Sequence, residues 1–156
     1  MEITFDQLPP SENKTRVIRV IKGRPAGMAY TREASNYKKD FKSYMLKEYP
    51  GKIVKFAREH KHDSLYKVEI VLYFDKHQLI NKGWPKTKTY IKKMDVGNRR
   101  KLLEDCLAEV LGIDDMFTFD LRMVKRACNS DSNFPYEREP GVYVNIQRTT
   151  PERYGL

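Results

Sequence analysis

Apolar residues recur along the chain with two different periods, and the switches between them divide it into elements. Residues 2–5 read as a short strand. It is closed by Leu8-Pro9-Pro10-Ser11-Glu12-Asn13, where paired prolines force extended backbone and Ser and Asn supply turn contacts. Val17, Ile18, Val20 and Ile21 give residues 14–27 strand character, while Gly23, Pro25 and Gly27 predict a mobile tip. A helix should begin after Thr31, an N-cap residue with Glu33 following in the first turn. Ala34, Tyr37, Phe41, Tyr44 and Met45 then recur at helical spacing until Pro50-Gly51 ends it. Residues 51–62 predict a second short helix, with Val54 and Ala57 on its apolar side. Residues 66–74 form the clearest strand, with Val68, Ile70, Leu72 and Phe74 facing one way and Lys67, Glu69, Val71 and Tyr73 the other. A long basic connection over 75–94 follows. Residues 98–111 are strongly amphipathic, with Leu102, Leu103, Cys106, Leu107, Val110 and Leu111 on one stripe and Gly112 as the cap. Residues 116–125 read as a strand with Phe117, Phe119, Leu121 and Met123 on one face. A polar loop over 129–141 then leads to a last strand over 142–146. This order predicts a single α/β (α+β) domain spanning residues 1–156, built as a small mixed β-sheet with helices packed on one face.

Composition narrows the class. The chain has 156 residues, 40% of them hydrophobic and 33% charged, so it can bury a real core and is not of disordered composition. Lys and Arg outnumber Asp and Glu by 30 to 21, a formal net charge of +9. That balance favours a polyanionic partner, with nucleic acid ahead of a membrane surface. No apolar run reaches the roughly 20 residues of a spanning helix, and MEITFDQLPP has no signal-peptide pattern. Cys106 and Cys128 stand in no CxxC spacing, so neither a zinc site nor a disulfide is favoured, and a reducing cytoplasmic setting is expected.

Within this basic chain the acids gather around one helix. Asp95 precedes it, Asp105 lies within it, and Asp114-Asp115 follow it. Oxygen-rich carboxylate sites suit hard divalent ions such as Mg²⁺ or Mn²⁺. A carboxylate-held ion beside Lys and Arg is the combination that hydrolyses a phosphodiester. Spacings of three and four place Asn98, Lys101 and Asp105 within about 60° on the helix wheel, and turn Glu104 away from that face. A helix of about 14 residues is roughly 21 Å long, so Asp95 and Asp115 meet only if the following strand or a loop returns Asp115 to the helix start. The plainer alternative leaves Asp95 as a cap, Lys101–Asp105 as a surface ion pair and Asp114-Asp115 as a turn.

Taken in order, Asp95-x-x-Asn98-x-x-Lys101-x-x-x-Asp105-x-Leu107 and then Asp114-Asp115 resemble the RusA family of Holliday-junction endonucleases. Leu8-Pro9-Pro10-Ser11-x-Asn13 is similar to that family's Pro-Pro-Ser-x-Asn opening, and a basic loop and a helix follow it here as there. The resemblance covers nearly the whole chain. It implies a metal-dependent homodimeric nuclease that nicks four-way DNA junctions symmetrically. Asp95 matches the first acidic position, Asn98 the asparagine, Lys101 the active-site lysine, Asp105 the helix aspartate and Asp115 the catalytic member of the acidic pair. Gly97 stands where the family pattern has a second aspartate, and a glycine offers no side-chain oxygen.

In the chemistry so implied, Asp95 and Asp115 hold Mg²⁺, or Mn²⁺ in its place, and Lys101 stabilises the charge that builds on the phosphoryl group. Asp105 either positions Lys101 or replaces the missing ligand, and Asp114 is the other replacement. Branched DNA would be held by Lys14, Arg16, Arg19, Lys22 and Arg24, and by Lys86, Lys88, Lys92, Lys93, Arg99 and Arg100. Trp84, Tyr90 or Phe134 would be available to stack on bases. Three functions fit these residues: an active junction resolvase, a RusA-like junction binder disabled by Gly97, and a basic adaptor whose acids are structural.

Overall fold

The structure is a computed structural model that describes residues 1–11, 15–60, 64–83, 86, 89–92, 97–114 and 117–155, without the side chains of Pro25 and Asn98. These residues fall into two compact units, one comprising 1–8, 63–96 and 118–156, the other 9–62 and 97–117.

The first unit is a mixed four-stranded sheet. Its strands are β1 (Glu2–Phe5), β4 (Leu65–Phe74), β5 (Thr118–Ala127) and β6 (Gly141–Thr149), in the order β1-β6-β4-β5. β6 runs antiparallel to both β1 and β4, while β4 and β5 are parallel. β4 lies inside the sheet, and its residues are buried on both faces: Val68, Ile70 and Leu72 on one, Val71 and Tyr73 on the other. Facing β4, Val144 and Ile146 of β6 pair with Ile70 and Val68, and Ile3 of β1 continues the row opposite Val144. A short helix α3 (Lys76–Leu79) leaves the end of β4 behind a capping box made by Asp75 and Gln78.

β5 departs from its expected alternation. Tyr66 pairs with Thr118 and Lys67 with Asp120, so one step on β4 is matched by two on β5. Phe119 is the extra residue, a β-bulge that breaks the period of two. It is 47% exposed and its ring lies 5.5 Å from that of Tyr154. Phe119 therefore does not share a buried face with Leu121 and Met123.

The second unit holds the hairpin β2 (Arg16–Ile21) and β3 (Arg24–Tyr30) with three helices, α1 (Arg32–Glu48), α2 (Pro50–Glu59) and α4 (Arg100–Leu111). The tip expected over Gly23, Pro25 and Gly27 is shorter than that. Lys22 and Gly23 alone make the turn, both left-handed (φ 50° and 76°), and Pro25 and Gly27 lie in β3. Thr31 caps α1, its hydroxyl accepting from the Ala34 amide at 3.2 Å. Ala34, Tyr37, Phe41 and Met45 are buried along the helix. Pro50 ends α1 but also starts α2 as its first residue, where its missing N–H is no loss. The face expected for α2 is wrong: Val54 is 50% exposed and Ala57 is exposed, while Phe56 is buried and Ile53 half-buried.

α4 begins two residues later than the pattern indicated. Gly97, Asn98 and Arg99 form a 3-10 turn, so Asn98 is not on the α-helix and the face it was to share with Lys101 and Asp105 lacks its first member. Of the expected apolar stripe, Leu102, Leu103, Cys106, Leu107 and Leu111 are buried while Val110 is half-buried, and Gly112 closes the helix at φ 68°. Both cysteines are free thiols. No helix among the described residues is long and apolar enough to cross a membrane.

Candidate active site

Lys101 and Asp105 stand one turn apart on α4, and the Lys101 ammonium lies 3.3 Å from Asp105 Oδ1. The other carboxylate oxygen accepts a hydrogen bond from the Tyr30 hydroxyl and lies 3.7 Å from the Arg16 guanidinium. One carboxylate thus gathers three partners, two cations and a phenol. Tyr30 and Arg16 face each other across the base of the hairpin, so they reach Asp105 from one strand face. That base is fixed by the Thr31 amide donating to the Thr15 carbonyl at 2.8 Å.

The network continues along α1. The Tyr30 ring has the Arg16 guanidinium 5.5 Å and the Lys38 ammonium 4.9 Å from its centroid. Lys38 and Lys42 converge on Glu109, one turn beyond Asp105, at 3.2 Å and 2.8 Å. Burial, and next the hydrogen bond to Asp105, push the Tyr30 phenol above its ordinary value, so it stays a donor. Burial opposes the charge on Lys38, yet Glu109 and Tyr30 raise its pKa overall. Glu109 is held below the usual carboxylate range by the hydrogen bonds from Lys42 and Lys38. Beside this network, Lys101, Glu104, Asp105, Gly112 and Asp114 line an open groove of about 430 Å³. Lys101 is 45% exposed, so its ammonium can reach an anion in the groove while Asp105 restricts where it points.

Several expected site residues, Asp95, Asp115, Lys14, Lys88, Lys93 and Trp84, lie outside the described residues, and the Asn98 side chain does too. Asp105 is engaged by Lys101, Arg16 and Tyr30, and Asp114 lies exposed in the same groove. Among the described residues no three His, Cys, Asp or Glu gather as a metal-holding group. Of the expected DNA contacts, Arg19, Lys22, Arg24 and Lys86 are exposed. Arg100 is ion-paired with Glu104 at 2.8 Å, and Lys92 donates to the His77 carbonyl at 3.4 Å. Arg99 donates to the Pro9 carbonyl, and burial lowers the pKa of its guanidinium. Phe134 is exposed but stacks on Tyr136, with centroids 5.5 Å apart.

Three features were not anticipated from the sequence. Glu104, turned away on the wheel, lines the groove beside Lys101. Glu109 extends the Lys101–Asp105 stripe by one more spacing of four, a signal the sequence did carry. Tyr30 is 75 residues from Asp105 and nothing local marks it.

A family model described as endodeoxyribonuclease RusA matches residues 8–147. No curated protein matches the chain.

Proposed function

The chain belongs to the RusA endodeoxyribonuclease family, and from that premise we propose that it cuts four-way DNA junctions in a reaction dependent on a divalent cation. The observation that carries this reading is the match over 8–147, which runs through both units and includes Lys101 and Asp105. It also supports treating residues 1–156 as one nuclease domain.

The donor chemistry fits a hard ion. Asp95 and Asp115, with Asp105 and Asp114 as the alternative ligands, offer only carboxylate oxygen, which Mg²⁺ and Mn²⁺ prefer, while Cys106 is buried and its thiol is pushed up to about 12 by burial. When bound, the ion would supply Lewis-acid polarisation of the phosphate and a more acidic water. The chain's own residues do the rest. Lys101 neutralises charge on the scissile phosphoryl group, and the Asp105 contact keeps its ammonium from swinging into solvent. Arg16 and Tyr30 fix Asp105 in turn, which favours the positioning role for this residue over that of a ligand. Arg19, Lys22 and Arg24 bind phosphates without reading sequence. Paired nicks on a two-fold symmetric junction need two active sites, hence a homodimer.

A nicking assay on a four-way junction with Mg²⁺ tests the ligand assignment. Asp95→Asn and Asp115→Asn should each lose at least about a hundredfold in rate, the scale of losing a main electrostatic contributor. Equal cleavage by all three proteins would show the assignment to be wrong.

A second reading rests on Gly97, which begins the 3-10 turn before α4 and has no side-chain oxygen. In it, the protein binds junctions without cutting them. No cleavage by the wild type, with junctions still outcompeting linear duplex, would establish that reading. Gly97→Asp should then gain metal affinity.

A further inference from the structure

The β2–β3 hairpin exposes apolar side chains that the nuclease chemistry does not use. Val17, Ile18, Val20, Ile21 and Met28 are 47–65% exposed. Single exposed apolar residues need no explanation, but these are arranged. Ile18 pairs with Met28 and Val20 with Pro25, so two steps on β2 are matched by three on β3. The extra residue falls at Gly27, whose φ of 98° suits a bulge. β2 therefore keeps its alternation, and Arg16, Ile18 and Val20 share one face with Met28 and Tyr30. At the base of that face, Arg16 and Tyr30 grip Asp105. Beyond them it is apolar and open.

We propose that this face is a wedge: Ile18, Val20 and Met28 press against base faces exposed at the branch point of a DNA junction, next to the Lys101 groove. Charge selects this occupant over a second copy of the chain. The hairpin carries Arg16, Arg19, Lys22 and Arg24 and no acid, in a molecule of net charge +9. A second hairpin would bring the same positive charge, whereas DNA brings phosphates for the cations and, where stacking is interrupted, apolar base surface for the wedge. Aliphatic side chains serve in this way where proteins unstack a base step. The bulge and the tight Lys22-Gly23 turn keep the ribbon narrow and twisted. The inference rests on the junction-cutting reading and adds how the branch point is recognised.

The test uses full-length protein in EDTA and a four-way junction carrying 2-aminopurine beside the branch point. Its partners are a linear duplex of the same sequence and the variant Ile18→Thr/Val20→Thr/Met28→Thr, in which threonine keeps strand propensity and every cation remains. Wild type should raise the fluorescence of the junction and prefer it to duplex. The variant should bind duplex within about twofold of wild type while its junction preference falls about tenfold, the scale of one lost base contact, and the fluorescence rise disappears. An unchanged rise and preference in the variant would overturn the wedge and leave the nuclease reading standing. A wild type with no junction preference would overturn both. Should the variant misfold, wild-type protein crosslinked to 5-iododeoxyuridine at the branch point decides. Adducts on residues 17–30 support the wedge, and adducts only elsewhere overturn it. A wild-type dimer that the variant abolishes, with junction binding intact, would assign the face to a second copy instead.

Discussion

Asp105 shows how one side chain can take its role from its partners. Its spacing from Lys101 is plain in the sequence, because residues four apart on a helix are neighbours. Its contact with Tyr30 is not, since only the fold brings a hairpin base to this helix. Exposed ion pairs of the Lys101–Asp105 kind contribute little stability by themselves, so in the proposed reaction the network acts through orientation. Tyr30→Phe should therefore slow junction cleavage by about tenfold or more with junction affinity unchanged, since a hydrogen bond to a charged group is worth about 1.5 kcal/mol or more and about 1.4 kcal/mol is a factor of ten. Single-turnover rates alongside binding curves would separate the two effects. Cys106 gives a second residue-scale test. Burial raises its thiol from 9.0 to about 12, so the unfolded chain ionises first. The stability it contributes is complete below about pH 9 and is lost as pH climbs toward 12. In Cys106→Val the decline of unfolding free energy above pH 9 should be shallower by up to about 1 kcal/mol per pH unit. A slope equal to that of wild type in urea titrations at several pH values would contradict it.

Among the elements, those whose burial follows a simple period were legible and those that break it were not. β4 reads correctly because Val68, Ile70, Leu72 and Phe74 alternate on one buried face, while Val71 and Tyr73 are buried on the other beside the half-buried Lys67 and Glu69. β5 reads as a strand but its faces do not, because the Phe119 bulge changes the phase of the side chains and periodicity carries no sign of a bulge. α2 was found, but Val54 and Ala57 lost its buried face to Phe56 and Ile53; too few apolar residues on one turn leave the face undetermined until tertiary contacts choose it. α4 was the most legible element, its stripe and Gly112 cap both matching, and only its start moved, because a 3-10 turn at residues 97–99 satisfies the same pattern. The cap can be tested directly. Gly112 has φ 68° with no heavy atom within 4 Å of an added Cβ, so Gly112→Ala adds backbone strain and no clash. It should lower stability by about 1 kcal/mol, measured as a shift in the urea midpoint at unchanged m-value.

For the whole molecule, the surplus of nine positive charges and the family match over 8–147 point the same way. Phosphate contacts release counterions, so affinity should fall steeply with salt. Replacing Arg19, Lys22 and Arg24 together with Gln should reduce the slope of log affinity against log salt by about three. Equal slopes in fluorescence anisotropy titrations would remove the hairpin from the DNA interface. Charge and motif order were enough to indicate a nucleic-acid enzyme. The contact of the hairpin base with Asp105, beside Lys101, was not indicated by them, since that depends on residues tens of positions apart. The central claim is that Lys101, held by Asp105, serves metal-dependent cleavage of DNA junctions. Single-turnover cleavage of a four-way junction with Mg²⁺ by wild type and by Lys101→Met tests it most directly. The expected result is cutting by wild type, a loss of about a hundredfold or more in the variant, and equal junction binding by both. Cleavage by Lys101→Met within about twofold of wild type would contradict it.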